Sequence, residues 1–318
     1  MVPERVAVLL MAYGGPNSLD DLPAYLADVR HGRPYSAELL ADLTERYRAI
    51  GGRSPILELT RAQAAGVQRV LESVQSEDGV RYRVYVGMRH WHPYIREVVP
   101  EILADGADRL VAVVMAPHYS RMSVGAYLAR LEEALQEQGA TLPVHAVESW
   151  KDEPDFIAAW VDRIGRALEA IPAAERDTTV LLFTAHSLPT RILEWGDPYE
   201  QEILTSVRLI AQHFPHLRSR FAFQSQGASE EPWLGPTVEE TLDALAAEGV
   251  RRVLLVPVGF VCDHVEVLYD VDIAHKAYAA ERGIVLECPA MLNDHPLLCR
   301  ALANAVRRAL RQARSVAG

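Results

Sequence analysis

The chain has 318 residues, is 49% hydrophobic and 24% charged, and carries a formal net charge of −11. That length makes one large domain or two of ordinary size with ample core, and the acidic balance argues against nucleic acid as a partner. Cys262, Cys288 and Cys299 share no CxxC spacing, which speaks against a disulfide framework, a zinc knuckle or an iron–sulfur cluster held by this chain alone.

The first strand candidate, 6–13, follows Glu4-Arg5 without a signal peptide's cleavage region, so a cytoplasmic protein is expected. Further strand candidates are 82–88, 109–116, 143–148, 179–185, 220–225, 252–260 and 284–288. Helical patterns at 55–74, 92–104, 123–138, 154–170, 198–213 and 236–248 separate most of them. Apolar runs reach only about ten residues, too short to span a bilayer, so no membrane insertion is expected. Strand–helix alternation implies an α/β protein with parallel sheets built from βαβ units. Neither GxxxxGK[ST] nor GxGxxG opens a helix after a strand, so the two commonest nucleotide cradles are missing.

Four strands in each half suggest a duplication. GADRLVAVV at 106–114 resembles GVRRVLLVP at 249–257, and LMAYGGP at 10–16 lines up with FTAHSLP at 183–189. The second pairing makes Tyr13 and His186 equivalent, each just past the end of its half's first strand. Two doubly wound halves facing each other would send both side chains into the cleft between them. The same logic adds His118, His264 and Glu266. A single histidine past a strand is more often a satisfied structural group, and it is the convergence of several that points to chemistry.

Between the first two strands lies a polar excursion with five arginines, Arg30, Arg33, Arg46, Arg48 and Arg53, in 24 residues. Arginine grips carboxylate or phosphate with a planar fork. Glu38, Asp42 and Glu45 are interleaved, so intrahelical ion pairs are the competing reading for Arg46 and Arg48. Gly51-Gly52 before Ser54-Pro55 reads as a tight turn whose backbone N–H groups and hydroxyl hold an anion. Later, the run 253–261 gives way to Asp263 at a helix N-cap position, with Glu266 and Asp270 at i+3 and i+7 on the same helix face. Acidic residues also suit a first helical turn on electrostatic grounds alone. A basic lip beside an acidic, histidine-bearing cleft suggests a substrate with peripheral anionic groups and a centre that takes a cation.

The motifs now in view are YGGP at 13–16, Arg46-Tyr47 with IGGRSP at 50–55, APHYS at 116–120 and VESW at 147–150. AHSLP at 185–189, GDPY at 196–199, QSQ at 224–226, PWLGP at 232–236 and PVGFVCDHVEVLYD at 257–270 follow in order. The chain resembles the ferrochelatase family nearly end to end, and most resembles the short coproporphyrin III type of Gram-positive bacteria. The resemblance implies two Rossmann-like halves, each with a four-stranded parallel sheet flanked by helices, and a porphyrin in the cleft between them. The expected layout is an N-terminal domain over 1–149 with a porphyrin lip at 30–55, a C-terminal domain over 150–292, and a helix within 293–318 packing back on the N-terminal domain.

By resemblance, His186 and Glu266 are the catalytic and metal-handling pair, and Tyr13 faces the metal from the opposite side of the macrocycle. Arg30, Arg46, Ser54 and Tyr127 occupy positions that contact propionates, and Asp270 continues an acidic row implicated in metal relay. Arg89-His90 stands where some relatives carry Lys-His, and Ala274 where glutamate often stands, which shortens that row. Fe²⁺ and porphyrin are then the substrates, with no permanently bound cofactor and no iron–sulfur cluster. A monomer, in transient contact with the next enzyme of haem synthesis, is expected.

The residue types suit that chemistry. Inserting Fe²⁺ requires removal of two pyrrole protons, which an imidazole backed by a carboxylate accepts. Both groups also bind ferrous iron transiently. Trp91, Trp150, Trp195 and Trp233 would line a ring or, more simply, pack in the core. Coproporphyrin carries four carboxylates and suits an arginine-rich lip, whereas protoporphyrin carries two. The rival readings are a protoporphyrin IX ferrochelatase, a cobalt chelatase of the same fold, and a tetrapyrrole carrier without turnover.

Overall fold

The computed structural model describes residues 3–227 and 231–316. The first two positions of the expected N-terminal domain and the last two of the expected C-terminal helix lie outside the described residues. Eight strands run β1 Glu4–Ala12, β2 Val80–Met88, β3 Arg109–Val114, β4 Val144–Val147, β5 Val180–His186, β6 Arg218–Gln224, β7 Arg252–Val256 and β8 Val285–Glu287. They form two parallel sheets of identical plan, β2-β1-β3-β4 and β6-β5-β7-β8. The inner strands are Val/Leu-rich and buried on both faces, as sheets flanked by helices on either side require. In each sheet the chain leaves its first strand to one side and returns on the other. The crevice at the carboxyl ends of β1 and β3, and of β5 and β7, is therefore the ligand position of such a fold.

Three helices, Ile56–Asp78, Pro154–Ala170 and Pro296–Val316, join the halves. One continuous core runs from Val8 and Leu10 through Trp150, Phe156 and Trp160 to Phe183, Val256 and Leu302. Gly66 admits the last helix at close range, since a Cβ there would lie 2.3 Å from Cys299 Sγ. Arg307 clamps that helix to Asp78 at 2.8 Å, and Arg300 ties it to Asp155 at 2.6 Å. No helix among the described residues is long and apolar enough to cross a membrane.

Two local expectations give way. The apolar run 252–260 is not all strand: β7 ends at Val256 because Pro257 has no N–H for the ladder, and the chain turns through Phe260 N–H to Pro257 O at 3.0 Å. Nor does Asp263 cap a helix carrying three carboxylates on one face. Asp263 is engaged by Asn293, which donates Nδ2–H to its carboxylate at 2.8 Å. The helix spans only Val265–Leu268 and widens into a π-helical stretch, Asp270–His275, where Ala274 N–H reaches Tyr269 O at 2.9 Å. Asp263 therefore precedes the helix, while Glu266 and Asp270, four residues apart, stay near enough for the charge of Glu266 to act on Asp270.

Candidate active site

The carboxyl ends of the central strands open into a cavity of about 320 Å³ lined from both halves. His186 is the last residue of β5, and its Nε2 lies 3.4 Å from Glu266 Oε1. The other carboxylate oxygen, Oε2, is 3.3 Å from Nε2 of His264, whose Nδ1 donates to Cys262 O at 3.0 Å. Nδ1 of His186 donates to the carbonyl of Ser187, which leaves Nε2 facing Glu266 and the cavity. Close backbone packing makes this possible. A Cβ at Gly259 would sit 2.6 Å from that of Ala185, and Gly259 N–H donates to Thr184 O at 3.1 Å.

Burial works against the charge on Glu266, but the charges and hydrogen bonds of His186 and His264 overcome it and hold the carboxyl well below the usual carboxylate range. Burial likewise opposes the two imidazolium forms, and Glu266 reverses the balance, raising both His186 and His264. A carboxylate held ionised between two imidazoles of raised proton affinity is a proton-accepting centre.

Tyr13 lines the same cavity from the N-terminal half with 40% of its surface open to it. The cleft walls desolvate its phenol and, with the charge of Glu266, push it up to about 12. Gly14, at φ +92°, and Gly15 let this loop turn against Ser54, which is buried and lines the cavity. Arg89 and Tyr127 line it as well, the guanidinium 5.3 Å above the phenol ring. His90 points behind Tyr13, its ring centre 4.6 Å from the phenol and its Nδ1 2.8 Å from Asp28. Burial, with Arg89 beside it, pushes His90 down to about 4, so it is neutral near pH 7.

The lip is a folded element. Ser36 caps the helix Ala37–Ala49 by accepting Leu39 N–H at 3.2 Å, and Leu22, Tyr25, Tyr47 and Trp91 form a small core beneath it. The intrahelical ion pairs read from the sequence are formed. Arg46 and Arg48 pair with Asp42 and Glu45 within the helix, and Arg46 also reaches Asp270 across the cleft at 3.5 Å. The anion cradle expected at Gly51-Gly52 is absent, because the amide of Gly51 is bonded to Arg48 O and that of Gly52 to Tyr47 O, closing the helix end.

Asp270 stands behind Glu266, bonded by Ser225 and raised by desolvation, with Glu266 adding to the shift against Arg46. Arg30 lies outside the cavity wall and donates to Pro34 O at 3.1 Å. His118 lines the wall but is bonded to Ser206 at 2.9 Å, and burial, together with Lys151, pushes it down to about 3, so it is a satisfied structural histidine. Among the tryptophans only Trp233 borders the cavity. Trp91 and Trp150 are core, and Trp195 is exposed between Arg121 and Arg191. Tyr25, Tyr47 and Tyr199 also line the site without having been singled out as site residues from sequence. Among the described residues no three His, Cys, Asp or Glu side chains form a cage for a metal ion. His186 and Glu266 border the cavity from the C-terminal half and Tyr13 from the N-terminal half.

The ferrochelatase family model matches residues 5–310. The chain belongs to the ferrochelatase family. The ferrochelatase of Herpetosiphon aurantiacus is 45% identical over 92% of this chain and 95% of its own length. The coproporphyrin III ferrochelatase of Bacillus subtilis is 39% identical over 98% of this chain and 99% of its own. Among solved structures, SirB from Bacillus subtilis, determined with Fe³⁺, superposes with a TM-score of 0.60 at 10% identity, covering 98% of each chain. That likeness establishes the shared two-sheet fold. As a ferrochelatase, the chain is a metal chelatase acting on a porphyrin and Fe²⁺ in haem synthesis, which sets aside the carrier and cobalt-chelatase readings.

Proposed function

We propose that this ferrochelatase inserts Fe²⁺ into coproporphyrin III in the cytoplasm, giving coproheme and releasing two protons. The observation that carries this reading is the ionised Glu266 between His186 and His264 at the floor of a cavity that Tyr13 faces. Nε2 of neutral His186 accepts a pyrrole proton, and Glu266 stabilises the imidazolium that results. Tyr13 meets the iron from the other face of the ring, while Asp270 serves as an outer stop for the incoming cation.

The choice of substrate is supported by a guanidinium group at the cavity. Arg89 lines the cavity, and the planar fork of a guanidinium suits a carboxylate. Ser54, Tyr127 and Arg46 complete the set of propionate contacts in this reading. A substrate with four carboxylates uses such a rim more fully than one with two. Relatives named coproporphyrin III ferrochelatase, at 39% and 40% identity over 98% of this chain, point the same way. Anaerobic Fe²⁺ insertion followed by absorbance, with coproporphyrin III and protoporphyrin IX in parallel, tests the choice. A higher kcat/KM for coproporphyrin III is expected, and a preference for protoporphyrin IX overturns it.

A further inference from the structure

The motif Gln224-Ser225 at the end of β6 has so far been given no part in the chemistry. Gln224 is 2% exposed and spans the space between the two elements that carry the reacting groups. On one side, its Oε1 accepts from Thr184 Oγ1 at 2.6 Å and its main-chain carbonyl accepts Ser187 N–H at 2.7 Å. These bonds bracket His186, which is itself the register partner of Gln224 across β5 and β6. On the other side, Nε2 donates to the main-chain carbonyl of Glu266 at 2.9 Å. Ser225, held in the left-handed region at φ +59° although it is not glycine, turns its hydroxyl onto Asp270. That backbone state costs energy for a residue with a Cβ and persists where surrounding bonds enforce it.

The helix that presents Glu266 has four residues before it widens into the π-helical stretch. One turn of helix has little stiffness of its own. Its placement against β5 therefore has to come from outside, and Gln224 is the side chain that bonds to both.

We propose that Gln224 is a positioning residue of this active site, one that sets the separation of His186 and Glu266 by bonding to both of their elements at once, with Ser225 extending the strap to Asp270. The inference rests on the reading that His186 and Glu266 carry iron insertion. Neither Gln224 nor Ser225 lines the cavity, so their loss acts on geometry and leaves the porphyrin contacts in place.

The test is steady-state Fe²⁺ insertion, with porphyrin affinity by fluorescence quenching and thermal unfolding measured alongside. Gln224→Met keeps the length of the side chain and removes its hydrogen bonds. It is expected to lower kcat roughly 10–100-fold, the usual cost of losing an orienting hydrogen bond behind a metal-handling group, while porphyrin KM stays within about twofold. Thr184→Val frees only the Oε1 end and Ser225→Ala only the Asp270 end. Each is expected to lower kcat less than Gln224→Met, again at constant KM. Unchanged kcat in Gln224→Met, or a loss of kcat only in step with lost porphyrin binding, overturns the proposal. If Gln224→Met does not fold, Thr184→Val and Ser225→Ala decide: a fall in kcat at constant KM supports the strap, and wild-type kcat in both overturns it. His186→Ala in the same assay separates the two levels. Full turnover there sinks the catalytic reading itself, whereas an inactive His186→Ala beside a fully active Gln224→Met sinks the strap alone.

Discussion

Glu266 is half-buried and ionised because two imidazoles face it, one per carboxylate oxygen. The arrangement has a kinetic signature. His186 accepts a proton only when neutral, and Glu266 raises its proton affinity against the opposing effect of burial. The acidic limb of the kcat–pH profile is thus expected above 6.5, the ordinary imidazole value, with activity lost as pH falls through it. Glu266→Gln removes the charge that holds the proton, so the limb moves to lower pH while kcat drops; an unmoved limb would exclude His186 as the titrating base. His186→Ala is expected to lower kcat about 10²–10⁴-fold, the range for a lost general base, while porphyrin still binds. Absorbance-monitored insertion and fluorescence quenching measure the two effects separately.

Secondary elements mediate between those residues and the fold, and here the sequence was legible to different depths. Strands buried on both faces announce themselves by Val/Leu runs, and the internal repeat was enough to pair Tyr13 with His186. The end of β7 and the acidic row were harder to read. Pro257 stops the ladder inside an apolar run, and Asp263 falls before a helix that widens into a π-helical stretch after one turn, which no 3.6-residue periodicity reveals. Gly51-Gly52 looked like an anion cradle because sequence does not show that its amides close a helix. Tyr47, next to Arg46 in a motif already noted, was there to be found.

Arg46→Ala is expected to weaken coproporphyrin III more than protoporphyrin IX, as measured by Kd; equal losses would remove the rim from the specificity argument. Gly259→Ala drives a Cβ to within 2.6 Å of Ala185 Cβ and 2.8 Å of its Cα. The turn after β7 must then move off β5 beneath His186, at a cost of about 1–3 kcal/mol by urea denaturation and with reduced kcat.

Across the whole molecule the two sheets share one core, and the C-terminal helix is part of it. Trp160 is fully buried in the cluster that contains residues of both halves. Trp160→Ala is expected to cost about 3–5 kcal/mol, read from the urea midpoint of a single transition seen by both circular dichroism and fluorescence. Two separated transitions would show instead that the halves unfold independently.

The shared strand order of the two sheets bears on ancestry. A half-length protein pairing with itself about a twofold axis presents the same group to both sides of a flat ligand, because its interface is self-complementary. Any improvement on one side is copied to the other, whether or not it helps there. Joining two copies in one chain lifts that constraint. The loop after β1 is then free to keep a phenol while the end of β5 acquires an imidazole and a carboxylate partner. On the reading proposed above, the ring loses protons on one side and meets Tyr13 on the other, and two halves that share a plan but differ in sequence can supply such unlike sides.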